Sequence, residues 1–255
     1  MKVLLSGHKG FIGTQIFNWL KTSGYEFTGF DKDEKIPSDR FDIILNFGAR
    51  TLIRKSKEFP YEYFLDNLDL TLKLLEKARK DDSVIVYPTS GSVMEPTNPY
   101  SLSKRQGEEW VKLYNKMYGV KFYVLKLYNI YGETSTKGAV YLFSKAAIKG
   151  EPAIIFGDGT HKRDYTHVSD LVRFVSLILS NNVEPGIYEV GTGVGTSVLE
   201  LISMIEKECG TKLLKEKHEF IVQEADDLHS KSPIMLNMIQ LPEGIKRVLE
   251  MLRRS

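Results

Sequence analysis

Residues 87–104, YPTSGSVMEPTNPYSLSK, contain three side chains that together can move a proton. Tyr100 and Lys104 are four residues apart, and the preceding Asn-Pro pair is a typical helix start, so both side chains should share one helix face. A phenol has a reference pKa of about 10, and a neighbouring ammonium lowers that pKa by stabilising the phenolate. Ser90 ends an apolar run, where its hydroxyl can hydrogen-bond a substrate oxygen. The stretch predicts a catalytic set of Ser90, Tyr100 and Lys104.

A glycine-rich loop supports this prediction, since a Tyr–Lys pair alone is common on helix surfaces. GHKGFIG (7–13) follows the apolar run KVLLS (2–6) and opens an amphipathic segment. Glycines allow a tight turn there, and the backbone N–H groups of the next helix can bind a pyrophosphate. The loop predicts a dinucleotide site with contacts from Gly7, Gly10, Phe11, Ile12 and Gly13.

Asp31 indicates which dinucleotide is bound. It ends the second apolar run, where a carboxylate can bind the ribose hydroxyls. That carboxylate would repel a 2′-phosphate, so NAD is favoured over NADP. Lys32 beside it weakens this preference without reversing it.

Apolar runs and amphipathic segments alternate along the first half of the chain, as in βα units on a parallel sheet. The pattern predicts strands at 2–6, 25–30, 42–47, 83–88 and 121–127, and helices at 11–24, 61–80 and 98–119. Later amphipathic segments predict helices at 171–180, 198–209 and 241–255. We expect an α/β protein with a Rossmann-type doubly wound parallel sheet and a small C-terminal substrate-binding region.

The sequence changes in composition after residue 132, where glycine and proline become more frequent and the predicted elements become shorter. We predict an NAD-binding Rossmann domain over 1–132, to which 166–190 returns. Residues 133–165 and 191–255 would form the substrate-binding region.

Composition excludes several classes of function. The 255 residues carry a formal charge of +2, with 42% hydrophobic and 27% charged residues, which is ordinary for a globular protein. The charges are scattered along the chain, which predicts no nucleic-acid-binding surface. No apolar run approaches the roughly 20 residues of a membrane span. The N-terminal apolar run is also too short for a signal peptide. The single Cys209 excludes a disulfide framework and a cysteine-cluster metal site. We expect a cytoplasmic protein without a metal.

These motifs resemble those of the extended short-chain dehydrogenase/reductase superfamily, and in particular its NAD-dependent nucleotide-sugar epimerases and dehydratases. The GxxGxxG spacing of the loop, the Tyr-x-x-x-Lys pair and the segment IFGDGTHKRDYTHVSD (155–170) carry the resemblance. GIYEVGTGVGTSVLELI (186–202) is similar to a segment of the UDP-galactose 4-epimerases. The resemblance covers most of the chain.

The resemblance also implies residue roles. ILNFGA (44–49) looks like the strand that lines the cofactor, and Asn67 falls where the family contacts the dinucleotide. The implied cofactor contacts are Phe47, Gly48, Ala49 and Asn67, together with Tyr100 and Lys104. The implied substrate contacts are Ser92, Asn129 in YNIYG (128–132), and Arg163, with the last two meeting phosphates. For His167 a structural role in a strand is expected.

The sequence departs from the family pattern in three places. Only residues 32–41 separate Asp31 from Asp42, so the third strand and its helices are expected to be missing, which leaves Asp39 as a weak substitute for an adenine contact. The segment from Met94 to Tyr100 is short and lacks a loop that approaches the substrate. No arginine stands where a second phosphate contact is expected.

The residues after Ser90 discriminate among reactions. Related dehydratases and decarboxylases have acidic residues there, whereas this chain has Gly91 and Ser92. We therefore expect an NAD-dependent nucleotide-sugar epimerase, with C4 epimerisation of a UDP-hexose favoured. An NAD(P)H-dependent keto-sugar-nucleotide reductase and a non-catalytic dinucleotide-binding sensor or scaffold are the alternatives. The helices at 61–80 and 98–118 resemble the pair that forms family dimers, so a homodimer is expected.

Overall fold

The structure is a computed structural model, and it describes residues 1–91, 96–219 and 227–254. The chain divides into two compact units. The first unit comprises residues 1–126 and 176–188, and the second comprises residues 127–175 and 189–255. The sequence prediction placed the first boundary at 132 and the returning segment at 166–190.

The described residues form thirteen strands and nine α-helices. The strands are β1 (Lys2–Ser6), β2 (Glu26–Phe30), β3 (Ile43–Asn46), β4 (Val84–Ser90), β5 (Phe122–Leu127), β6 (Ile130–Tyr131), β7 (Ala153–Phe156), β8 (Lys162–Arg163), β9 (Thr166–His167), β10 (Gly186–Val190), β11 (Thr196–Ser197), β12 (Lys215–His218) and β13 (Asp227–Leu228). The helices are α1 (Phe11–Leu20), α2 (Ile53–Glu58), α3 (Pro60–Tyr63), α4 (Leu70–Asp81), α5 (Pro99–Tyr118), α6 (Ala139–Lys149), α7 (Val168–Leu179), α8 (Val198–Cys209) and α9 (Leu241–Arg254).

A six-stranded sheet with the order β10-β5-β4-β3-β1-β2 is the frame of the first unit. The pairs β1–β2, β1–β3 and β3–β4 are parallel, so the loops that follow these strands lie at one edge. The strands are nearly continuous apolar runs because both faces of a parallel sheet are covered. The predicted Rossmann-type doubly wound parallel sheet is confirmed.

The expected loss of the third family strand is also seen. Strand β2 lies at the edge of the sheet, and the next strand, β3, pairs with the opposite side of β1. Residues 31–42 between them contain no strand.

The first unit has an apolar core on the sheet. Leu4, Ile44 and Ile85 from neighbouring strands are fully buried against Leu74 and Val111 from α4 and α5. The predicted helix over 61–80 is divided, because a π-helical turn (Phe64–Asp69) lies between α3 and α4. Such turns widen a helix locally and are frequent near functional sites.

The second unit has a separate core, in which α6, α8 and α9 pack together. Its short strands pair in small groups, with β11-β8-β13, β12-β7 and β6-β9 as neighbours. Across the described parts of the chain, no helix has the length and apolar character needed to cross a membrane.

Candidate active site

Helix α5 begins with a capping box that fixes the position of Tyr100. The Asn98 side chain accepts a hydrogen bond from the Ser101 backbone N–H at 2.9 Å, and the Ser101 hydroxyl lies 3.3 Å from the Asn98 backbone N–H. Pro99 is the first helical residue. These features define the helix start as the sequence predicted, and they place Tyr100 and Lys104 one turn apart on the same helix.

Tyr100 is hydrogen-bonded to the hydroxyl of Ser90, which ends β4. Its half-buried ring also meets the ring of Tyr63 edge to face, with centroids 6.5 Å apart. Burial, and to a lesser extent Tyr63, raise the pKa of Tyr100 to about 12, while the Ser90 hydrogen bond opposes this rise. The structure therefore brings together the predicted Ser90 and Tyr100.

Lys104 is buried, with 5% of its surface exposed. Its ammonium lies over the ring of Tyr87, with Nζ 4.1 Å from the ring centroid. Burial lowers the pKa of Lys104 to about 7. Near neutral pH the site thus holds a protonated phenol and, one helical turn away, a lysine that is close to losing its charge. An added positive charge next to Tyr100 would lower the pKa of the phenol and bring its proton transfer into range.

The glycine loop has the shape of a pyrophosphate cradle. Gly7 has a φ of +73°, and a Cβ there would lie 2.6 Å from Gly48. A Cβ on Gly13 would lie 2.0 Å from the Gly7 carbonyl oxygen. Helix α1 begins at Phe11 without a side-chain cap at Gly10 and without an acidic residue in its first turn. Its first N–H groups, including those of Phe11 and Ile12, suit a bound anion, so these residues fit a dinucleotide.

Asp31 follows β2 at the same edge of the sheet. Its carboxylate accepts hydrogen bonds from the backbone N–H groups of Lys9, at 3.0 Å, and Lys32, at 2.9 Å. The side chain of Lys9 forms a 2.6 Å ion pair with Glu34. Asp31 thus lies beside the glycine loop, where the sequence predicted a ribose contact, and Lys32 is exposed next to it.

Phe47, Gly48 and Ala49 leave the carboxyl end of β3 and are half-buried. The amide of Asn67, in the π-helical turn, holds the end of this loop. Its Oδ1 accepts from the Arg50 backbone N–H at 2.7 Å, and its Nδ2 donates to the Arg50 carbonyl at 3.2 Å and to Ser103 Oγ at 3.0 Å. Both donors of Asn67 therefore have protein partners.

The predicted phosphate contacts lie in the second unit. Asn129 is exposed with a φ of +26°, and its Nδ2 donates to the Asp164 carbonyl at 3.1 Å. Arg163 is buried on β8, with Nη1 donating to the Lys162 carbonyl at 2.8 Å. Ser92 lies outside the described residues.

The expectation that Asp39 could contact adenine is wrong. Its carboxylate lies 3.6 Å from the ammonium of Lys2, at the amino end of β1, and Lys2 is also bound to Glu26 at the amino end of β2. The glycine loop follows the carboxyl end of β1. Asp39 is therefore at the opposite edge of the sheet from the dinucleotide site.

Sequence reasoning missed several buried polar residues around the site. Tyr87 lies beneath Lys104, and Asn46 and Thr71 hydrogen-bond each other at 3.1 Å in the core. The available signal was a polar residue within an apolar strand, such as Asn46 in IILN, because parallel strands buried on both faces are otherwise apolar.

A parallel sheet, a glycine loop at its carboxyl edge and a Ser–Tyr–Lys set beside it define a dinucleotide-dependent enzyme of the Rossmann class. The comparisons with known proteins give the family. Residues 3–191 match the NAD dependent epimerase/dehydratase family, and the chain belongs to it. The predicted family and its NAD dependence are thereby confirmed.

Two relatives and two solved structures illustrate the similarity. A protein of Methanocaldococcus jannaschii, provisionally named a UDP-glucose 4-epimerase, is 29% identical over 99% of each chain. The UDP-glucose 4-epimerase of Mycolicibacterium smegmatis is 26% identical over 100% of this chain and 99% of that protein. Among solved structures, the NAD complex of Thermus thermophilus UDP-glucose 4-epimerase has a TM-score of 0.88 at 24% identity, covering 99% of each chain. Bacillus cereus UDP-glucuronic acid 4-epimerase has a TM-score of 0.89 at 22% identity, covering 100% of this chain and 99% of that one.

Proposed function

We propose that the protein is an NAD-dependent nucleotide-sugar epimerase that inverts C4 of a UDP-hexose. The observation that carries the proposal is the hydrogen-bonded Ser90 and Tyr100 one helical turn from the buried Lys104, in the same unit as the glycine loop. Relatives along nearly the whole chain are named UDP-glucose 4-epimerases, which supports this choice of substrate.

In the proposed mechanism Tyr100, as the phenolate, takes the proton of the sugar 4-hydroxyl. NAD held by the glycine loop and Asp31 would supply a hydride acceptor for C4 that gives the same hydride back, so the overall change would be redox-neutral. Ser90 donates its hydrogen bond to the sugar O4 as the C4–O4 bond becomes a carbonyl. The 4-keto sugar then presents its other face, and Tyr100 returns the proton to O4. The ammonium of Lys104 stabilises the phenolate throughout.

Phosphate binding is proposed to use two sets of residues. Asn129 and Arg163 would bind the phosphates of the nucleotide sugar, because an amide donor and a guanidinium suit phosphate oxygens. The glycine loop and Asp31 would hold the pyrophosphate and ribose of NAD.

Product analysis on purified protein tests the proposal. UDP-glucose, UDP-galactose and UDP-glucuronate are each incubated with the protein, and the configuration at C4 is read by NMR. We expect inversion without net change in nicotinamide absorbance. Tyr100→Phe should lower the rate of inversion by about 10³-fold, while Tyr123→Phe should leave it unchanged, since Tyr123, on β5, donates its hydroxyl to the Val183 carbonyl. Stoichiometric loss of NADH or NADPH absorbance would identify the reductase alternative, and dinucleotide binding without turnover would identify a sensor.

We also propose a homodimer formed by the faces of α3, the π-helical turn and α5. Large apolar side chains are exposed there, with Tyr61 67%, Phe64 46%, Leu102 46% and Met117 59% exposed. Exposed apolar side chains on neighbouring elements, as α3, the π-helical turn and α5 are, indicate a protein–protein interface more than apolar side chains scattered singly do. Sedimentation equilibrium tests the dimer, and Met117→Glu should dissociate it.

The cytoplasmic location stays a prediction, and cell fractionation would test it.

A further inference from the structure

Among the described residues, no carboxylate is paired with the buried ammonium of Lys104. Burial is the cause that lowers its pKa, and no acidic group of residues 1–91, 96–219 and 227–254 forms an ion pair with it. Glu108, one turn further along α5, is bound to Lys112 at 2.7 Å. A buried charge normally has a partner, and among the described residues the group that faces this ammonium is not a carboxylate.

That group is the ring of Tyr87. Tyr87 is fully buried, and its ring centroid lies 4.1 Å from Lys104 Nζ, well inside the range of a cation–π contact. Burial raises the pKa of Tyr87, so the ring stays a neutral phenol. Desolvated contacts of this kind are stronger than exposed ones, because water does not compete for the cation.

Tyr87 also binds the backbone of the residue whose side chain it faces. Its hydroxyl donates to the Lys104 carbonyl at 3.1 Å. Helix α5 can approach so closely because residue 107 is glycine, at which a Cβ would lie 2.1 Å from the Tyr87 oxygen. One side chain on β4 thus contacts both ends of Lys104.

Buried hydrogen bonds connect helix α5 to the dinucleotide loop. Asn67 Nδ2 donates to Ser103 Oγ on α5 at 3.0 Å, and the Asn67 carbonyl accepts from Thr71 Oγ1 at 2.6 Å. Thr71 Oγ1 accepts from Asn46 Nδ2 at 3.1 Å, Asn46 Oδ1 accepts from Ser6 Oγ at 3.0 Å, and Ser6 Oγ accepts from the Gly48 backbone N–H at 3.0 Å. These side chains are almost completely buried. Such satisfied networks are rigid, so the part of α5 that Tyr87 binds has a fixed position relative to the loop.

We propose that Tyr87 is a positioning residue that favours the charged form of Lys104 and directs its ammonium within the buried site. This rests on the proposed function, in which Lys104 stabilises the Tyr100 phenolate. A carboxylate beneath Lys104 would hold the ammonium but would also cancel its field at Tyr100. An aromatic ring attracts the cation and carries no net charge, so the positive field remains available.

A graded change of the ring tests this without changing its volume much. Position 87 is occupied in turn by phenylalanine, 4-fluorophenylalanine, 3,5-difluorophenylalanine and 3,4,5-trifluorophenylalanine, because fluorine withdraws electron density from the ring face. The pKa of Lys104 is read by NMR of carbon-13 labelled lysine, with Lys104→Met assigning the signal, with and without NAD. Tyr123→Phe is the matched control, since its hydroxyl also donates to a backbone carbonyl.

We expect the Lys104 pKa to fall stepwise with fluorination, by about one pH unit over the series, and to stay unchanged in Tyr123→Phe. The rate at fixed pH should fall in the same order. The other titratable groups near the site are Tyr100, Tyr63 and Glu108, which the series leaves in place. A flat Lys104 pKa across the series overturns the proposal. Because this titration needs no sugar substrate, a stepwise shift without epimerisation would reject the proposed function and leave the role of Tyr87 standing.

Discussion

Two buried ionisable side chains, Lys104 in the first unit and Asp164 in the second, have opposite surroundings. Asp164 is 0% exposed, and its carboxylate accepts hydrogen bonds from the backbone N–H groups of Thr192, Gly193 and Ser230. The hydroxyls of Thr192 and Ser230 add two more, at 2.6 and 2.8 Å. Lys104 is almost as deeply buried, yet it faces an aromatic ring and no carboxylate among the described residues.

The difference indicates what each charge does. A carboxylate surrounded by donors holds the segments that donate to it, which here are the loop after β10 and residue 230. A buried ammonium without a counter-charge has a strongly shifted pKa, which is costly for stability and typical of a functional site. Removing Asp164 should therefore affect folding first, and removing Lys104 should affect chemistry first.

The largest effect should follow Tyr100→Phe, which removes the proposed proton acceptor one helical turn from Lys104. We expect kcat for C4 epimerisation to fall by about 10³-fold, because general acid–base groups contribute on this order. NAD binding and the midpoint of urea unfolding should stay unchanged, since the ring and its contact with Tyr63 remain. Steady-state kinetics and calorimetric NAD titration measure both. An active Tyr100→Phe enzyme would remove Tyr100 from the mechanism.

Asp164→Ala should have the next largest effect, on stability. It leaves buried N–H and hydroxyl donors without an acceptor, and we expect the free energy of unfolding to fall by about 3 kcal/mol. The neighbouring Arg163 and the Asn129 amide, bound to the Asp164 carbonyl, should then be less well positioned. KM for the nucleotide sugar should rise more than kcat falls. Urea titration and initial rates separate the two effects; a stable variant with normal KM contradicts the assignment.

Sequence reasoning was most successful where local chemistry decides the structure. The helix start at Asn98 and Pro99, the glycine loop and the strand-end position of Ser90 each depend on a few adjacent residues, and each has its expected form. The missing third strand was predictable because the linker after Asp31 is too short to contain another βα unit.

Contacts between distant segments could not be predicted in the same way. Tyr87 is seventeen residues from Lys104, and their contact depends on how α5 crosses β4 at Gly107. The placement of Asp39 failed for a similar reason, since the direction in which the linker leaves β2 decides which edge it reaches. The donors to the Asp164 carboxylate lie 28 to 66 positions away along the chain. The periodicity of apolar residues in the sequence gives no information about contacts at such a separation.

Lys104→Met tests whether the buried charge of Lys104 lowers the stability of the protein. Burial lowers the pKa of Lys104 from 10.5 to about 7 in the folded protein. The unfolded chain therefore binds this proton more tightly than the folded protein does. Below pH 7 the lysine is charged in both states, and the cost of burying its charge then lowers the free energy of unfolding by its full amount. We expect Lys104→Met to raise the free energy of unfolding of the NAD-free protein by about 2 kcal/mol at pH 6, although activity is lost. This increase in the free energy of unfolding should vanish as the pH approaches 10.5, the ordinary pKa of lysine. Urea unfolding at several pH values measures it, with Lys116→Met, an exposed lysine on α5, as the control.

The smallest effect should come from Ser230→Ala, which removes one hydroxyl donor from Asp164. The carboxylate keeps its backbone donors and the Thr192 hydroxyl, so no buried charge is left uncompensated. We expect a loss of about 1 kcal/mol in the free energy of unfolding and no change in the pH dependence of kcat. Denaturant titration of Ser230→Ala, Asp164→Ala and the double variant measures the coupling. A double variant no less stable than Asp164→Ala shows that Ser230 acts only through the carboxylate, whereas additive losses would mean that Asp164 is not the centre of this network.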